Sequence, residues 1–181
     1  QDGAPRFEPA PDVIAPQASA DTWNSIGSGL NGPVYAIAVA GPSLYIGGDF
    51  TDAGGIDDAD YIVRWDGAEW HALGPGLTWT VQAIAVAGAN VYVGGEFQGA
   101  SGIAEADYIA RWDGDQWHAL GSGLNDTVYA IAVEGGDVYV GGKFTETGGH
   151  NAVNHVARWD GSSWSPVGSG VDDTVYAIAV G

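Results

Sequence analysis

The chain has 181 residues, 45% of them hydrophobic, and a formal charge of −18 from five Lys+Arg against 23 Asp+Glu. Nucleic-acid binding requires a basic stripe that this balance does not supply, and an anionic membrane surface would repel the chain. With no cysteine, disulfide scaffolds, thiolate chemistry and Cys-ligated zinc are excluded.

The first 20 residues (QDGAPRFEPAPDVIAPQASA) hold Pro5, Pro9, Pro11 and Pro16, which favour extended backbone and forbid a helix. This stretch reads as a Pro-rich arm: a loose leader, or a segment that docks on a neighbour through Phe7, Val13 and Ile14. The sequence contains no methionine and begins with glutamine, as a cleaved secretory leader would leave it. A processed chain, secreted or at the cell surface, is the expectation. No apolar run approaches the ~20 residues needed to span a bilayer.

From Asp21 onward the chain is periodic and is expected to form one repeat domain over 21–181. The unit 34–80 recurs as 81–127 and 128–174 without insertion or deletion, and VYAIAV opens a fourth copy at Val175. Residues 21–33 match only the tail of the unit, with Trp23 one period before Trp70. A period of 47 residues implies a solenoid, a propeller or an array. Four strand patterns fill each unit. The first, 34–39, is apolar on both faces and is expected to be buried on both sides. The second, 44–50, contains Gly47-Gly48, which predict a bulge or a close backbone approach. The third, 61–65, closes on the Asp66-Gly67 turn, and the fourth, 69–73, ends before Gly74 and Gly76.

Four short antiparallel strands per unit predict an all-β chain of β-propeller-type blades. The run LYIGGDF…YIVRWDGAEWHAL resembles a kelch repeat, with its apolar first strand, its Gly-Gly second strand and its aromatic-Asp turn before a Trp strand. It is also similar to the galactose-oxidase-like propeller repeats of large secreted bacterial proteins. The resemblance implies a blade fold over 21–181. It carries no activity across, because the copper oxidase of that group depends on a modified Cys–Tyr pair and this chain has no cysteine. Three complete units fall short of the 4–8 blades of a propeller. Trp23–Ile26 can serve as the outer strand of a closing blade, but its second and third strands are missing. The blades are therefore expected to be incomplete in a single chain, completed by other copies or by further repeats of a larger secreted protein.

Repetition separates structural residues from functional candidates. Arg-Trp-Asp-Gly occurs at 64–67, 111–114 and 158–161, and a motif present in every unit points to structure. The same holds for Trp70, Trp117 and Trp164 and for Phe50, Phe97 and Phe144, expected to pack between blades; sugar-stacking platforms are the functional alternative. Trp79 is different, since Asp126 and Asp173 replace it in later units, and it is the candidate contact aromatic. His71 and His118 correspond to each other, with Ser165 in the third unit, and join it as candidate ligand-binding residues. Asp58 and Asp60, with Glu105 and Asp107, offer hard oxygen ligands for Ca²⁺, although no calcium-loop motif is present. No nucleophile elbow or phosphate loop occurs. The function expected is therefore not enzymatic. It is an extracellular structural or scaffold protein acting on other copies of itself or on a cell-surface protein, with assembly contacts at Phe7, Val13, Ile14 and Trp23. A glycan-binding module is the alternative.

Overall fold

The computed structural model describes residues 25–181 apart from 149 and 152, and gives only the backbone at 150 and 151. Each unit forms one four-stranded antiparallel sheet whose strands, with one exception, lie in chain order. The first blade contains β1 (Val34–Ala40), β2 (Ser43–Gly48), β3 (Ile62–Trp65) and β4 (Trp70–His71). The second contains β5 (Val81–Ala87), β6 (Asn90–Gly95), β7 (Ile109–Trp112) and β8 (Trp117–Ala119). The third contains β9 (Val128–Glu134), β10 (Asp137–Gly142), β13 (Val156–Trp159) and β14 (Trp164–Pro166). The exception is a small hairpin inserted in the third blade, β11 (Glu146–Thr147) paired with β12 (His150–Asn151). The other two blades have a single 3-10 turn there, at Ala53–Gly55 and Ala100–Gly102.

First strands lie side by side, β1 against β5 and β5 against β9. The Gly-Gly pair makes this possible. A Cβ on Gly94 would stand 2.5 Å from Val128 Cγ1 of the next blade, and Gly47 meets Val81 in the same way. The second glycine of each pair lies against the incoming chain: a Cβ on Gly95 would overlap the Thr80 carbonyl oxygen. Opposite the pair the register slips, between Val34 and Ala36 and again between Val81 and Ala83. The expected bulge thus falls on the first strand, across from the glycines.

The core lies largely between blades. Phe97 and Trp117 are buried with Ile62, Leu73 and Leu77 of the preceding unit, and Phe144 and Trp164 with Ile109, Leu120 and Leu124. Trp117 Nε1 donates to the Leu73 carbonyl and Trp164 Nε1 to the Leu120 carbonyl, each at 2.8 Å. Within each blade the two tryptophans meet at an angle, with ring centroids 4.9–5.4 Å apart, a favoured aromatic geometry. Trp70 Nε1 is buried without a partner among the described residues. The arginines of the second and third Arg-Trp-Asp-Gly runs reach back across their sheets, Arg111 to Asn90 Oδ1 at 2.7 Å and Arg158 to Asp137 Oδ2 at 2.7 Å. Both are strand-to-strand fasteners.

One expectation fails. The first strand of the first unit is not buried on both sides: Val34 is 41% exposed, Ile37 61% and Val39 69%. Its equivalents Val81 and Val128 are fully buried, because a preceding Gly-Gly covers them; among the described residues no such blade precedes β1. At the other flank, residues 175–180 belong to no sheet. Val175 N–H donates to the Gly142 carbonyl at 3.2 Å, and Tyr176 stacks on Tyr129 at 5.1 Å. A Cβ on Gly141 would meet Val175 Cγ1 at 2.5 Å, the contact Gly94 makes with Val128. This segment therefore occupies the place of a fourth blade's first strand. The sheets do not close into a ring.

Candidate functional site

Trp79 lies in the short connection between β4 and β5, and its side chain is largely exposed. With Thr78, Glu96, Gln98, Tyr108 and Asp126 it lines an open groove of about 450 Å³. The fold places each wall. Tyr108 has a left-handed backbone, φ 61°, which is costly for a bulky residue. Two backbone hydrogen bonds hold it there, its N–H to the Phe97 carbonyl at 2.9 Å and its carbonyl accepting from Gly95 N–H at 3.1 Å. Tyr61 and His155 repeat the conformation, so the turn belongs to the scaffold, while the residue on it varies. The Tyr108 hydroxyl accepts from Gln98 Nε2 at 2.7 Å. Glu96 Oε1 accepts from Gln82 Nε2 at 3.1 Å. Asp126 Oδ1 accepts from the Thr127 N–H at 2.7 Å.

Neither His71 nor His118 lines this groove. Each bonds instead to the aspartate of its own Arg-Trp-Asp-Gly turn, His71 Nε2 to Asp66 Oδ2 at 2.6 Å and His118 Nε2 to Asp113 Oδ2 at 2.5 Å. The other carboxylate oxygen accepts two backbone N–H groups, those of Ala68 and Glu69 on Asp66 and those of Asp115 and Gln116 on Asp113. In the third blade the Ser163 hydroxyl reaches Asp160 Oδ2 at 3.1 Å and takes over that role. The histidines are thus tied into turn closure, which explains their replacement where another donor is at hand.

These turns make the chain acid-sensitive in a definite direction. The Glu69 N–H above all, then the Ala68 N–H and His71, hold the Asp66 carboxyl well below the usual carboxylate range. The Gln116 N–H, then His118, do the same for Asp113, and the Ser163 and Ser162 N–H groups for Asp160. A carboxyl depressed in the folded chain contributes stability that is fully present above its unfolded value and is lost as the pH falls towards its folded value. Thermal melts should therefore fall as the pH drops below about 4. In Asp113→Asn, which keeps the N–H acceptor and removes the charge, the acid drop should be shallower. An unchanged acid profile in that variant would contradict this assignment.

The acidic residues proposed for Ca²⁺ are divided between roles. Asp60 Oδ1 accepts the Asp52 N–H at 2.9 Å and Asp107 Oδ1 the Gly99 N–H at 2.8 Å, closing the loops that carry the 3-10 turns. The carbonyls of the same two residues accept from Leu77 and Leu124. Asp58 and Glu105 present their carbonyls towards Gly76 and Gly123. Among the described residues no three His, Cys, Asp or Glu side chains converge in a group that could hold a metal ion. Phe7, Val13, Ile14 and Trp23 lie outside the described residues.

The sequence points to Trp79 and to the variable loop that opens at Gln98, but not to Glu96, Tyr108 or Asp126. A usable signal was present at Glu96, whose equivalents are Asp49 and Lys143: one position carries both charge signs within the repeat.

No family model and no curated protein matches this sequence. Among solved structures the chain is similar to the computationally designed Ika4 protein, with 15% identity, 88% of each chain covered and a TM-score of 0.58. It is also similar to the computationally designed Ika8 protein, with 17% identity over 84% of this chain and 42% of that one, at a TM-score of 0.46. At such identity the likeness to Ika4 concerns the fold alone. It is consistent with an all-β chain of three four-stranded antiparallel, β-propeller-like blades whose sheets are not closed.

Proposed function

We propose that the chain is a kelch-like, propeller-type scaffold that works outside the cell by protein–protein contact, its open flanks completed by blades of another copy. The observation that carries this reading is the uncovered flank of the first blade. Val34, Ile37 and Val39 stand exposed in positions whose equivalents lie under a neighbouring blade. Contiguous apolar surface of this kind marks an interaction face. The complementary surface is the Gly141 flank, which holds 175–180. That segment reads VYAIAV, as does 34–39, so the first strand of a second copy would replace 175–180 on this flank through the same side chains. Head-to-tail contact of this type is heterologous and yields a ring or a fibre. The kelch-like assignment is supported by the Gly-Gly contact between blades and the Asp-capped turn before each Trp strand.

Light scattering across a concentration series tests the reading. The expected result is a mass that rises to a multiple of the monomer, with Ile37→Glu returning it to the monomer and leaving the far-ultraviolet spectrum intact. A wild-type monomer at every concentration would sink the idea. The second reading, glycan binding, is favoured by the exposed ring of Trp79 in its groove.

A further inference from the structure

The groove beside Trp79 has a composition that the assembly reading leaves unused, and it lies within the central part of the chain, away from both open flanks. Two aromatic rings, Trp79 and Tyr108, and two carboxylates, Glu96 and Asp126, share its lining with no lysine or arginine among them. Each carboxylate has one oxygen engaged within the protein, Glu96 Oε1 with Gln82 and Asp126 Oδ1 with Thr127. The second oxygen of each has no partner among the described residues. Tyr108 is held by its left-handed backbone and by Gln98, so one wall is in place before any ligand arrives.

We propose that this groove binds an organic cation, an alkylammonium or quaternary ammonium group seated between Trp79 and Tyr108 and neutralised by Glu96 and Asp126. Aromatic faces attract such cations through their quadrupole, and tryptophan does so most strongly. Carboxylates at the rim add charge attraction and favour cations over anions. The net charge of −18 draws a cation towards the surface and raises its local concentration. A neutral saccharide could stack on the indole but would leave the two carboxylates without a counter-charge. An anionic sugar or phosphate would be repelled.

The constellation occurs once in the repeat. One unit later Asp126 stands where Trp79 does, Lys143 where Glu96 does and His155 where Tyr108 does. The third blade therefore repeats the backbone of this groove and keeps an acid at Asp173, the equivalent of Asp126, but has neither its tryptophan nor its glutamate at those positions. Such a difference between otherwise equal units marks the place where a scaffold acquires a specific ligand. The inference is independent of assembly, since no residue of either open flank takes part.

Choline is a suitable probe, with 3,3-dimethylbutan-1-ol as its uncharged isostere of nearly the same shape. Titration is followed by the indole N–H resonance of Trp79, assigned by its loss in Trp79→Asp, a substitution that installs the residue of the next unit. The expected result is a saturable shift with choline, at least tenfold weaker binding of the neutral isostere, and weakening as salt rises. Glu96→Lys, which copies the third unit, should reduce choline affinity at least tenfold while the other indole resonances stay in place. Equal response to choline and its isostere would overturn the proposal. So would a response to neutral oligosaccharides with none to choline, or unchanged choline binding in Glu96→Lys.

Discussion

Phe97→Ala is expected to lower the unfolding free energy by about 3–5 kcal/mol, the range for truncating a buried phenylalanine. Phe97 is fully buried, and its cluster joins Ile62, Leu73 and Leu77 of the first unit to Val91, Val93 and Trp117 of the second. Truncation would therefore empty a space between two blades, where neither can close the gap without pulling away from its other contacts. In a repeat protein most stability comes from such nearest-neighbour interfaces. Phe50 supplies the internal comparison. It occupies the same repeat position, but its cluster draws its buried members from the first unit alone. Phe50→Ala should cost less than Phe97→Ala, by roughly 1 kcal/mol or more, because its surroundings relax more freely. Urea titrations of the two variants measure both quantities. Equal losses would mean that the interface between blades contributes nothing beyond ordinary burial.

Gly95→Ala is expected to have the second-largest effect, at or above the upper end of the ~1–3 kcal/mol cost of overpacking. The added methyl would overlap the Thr80 carbonyl oxygen. That carbonyl also accepts the Glu96 N–H at 2.9 Å, so it cannot swing aside without losing the bond. Gly94→Ala provides the graded case. Its methyl would meet Val128 Cγ1 at 2.5 Å, and a side chain yields more readily than backbone. The same urea titrations should rank Gly95→Ala below Gly94→Ala in stability. The reverse order would show that the blades slide apart more easily than the connection between them deforms.

The register of the unit made much of this legible beforehand. Trp117 and Phe97 were assigned to packing between blades because they recur with Trp164 and Phe144, and all four are buried in clusters that cross a blade boundary. The Gly-Gly pair pointed to a close approach, and Val81 and Val128 lie against it. The third and fourth strands are shorter than the apolar pattern predicts, and the second is shifted towards its start. The second strand ends at Gly48 rather than Phe50, and the third begins at Ile62, because Tyr61 turns left-handed just before it. The inserted β11–β12 hairpin arises where TETGGHNAVN has His150 in place of Ile56 and Ile103 and Val153 in place of Ala59 and Ala106, differences that do not by themselves specify a hairpin. The partners of His71 and His118 were hidden for a related reason: an aspartate five residues away comes within reach only once the turn brings β3 and β4 together.

Repetition within one sequence determines the blade, since equal units must make equal contacts with their neighbours wherever a neighbour exists. The strand order, the Gly-Gly contact, the tryptophan pairs and the arginine fasteners follow from that equality and from the alternation of side chains along a strand. What repetition cannot specify is the place where an equal unit has unequal surroundings. VYAIAV at 34–39 and at 128–133 is one sequence in two environments, exposed at Val34 and buried at Val128. Burial belongs to the neighbour as much as to the residue. The groove at Trp79 also exists only in three dimensions, because its walls come from two connections and the strand end and loop between them, spread over 49 positions from Thr78 to Asp126. Their approach is set by the stacking of blades, which the local pattern of any single segment does not encode.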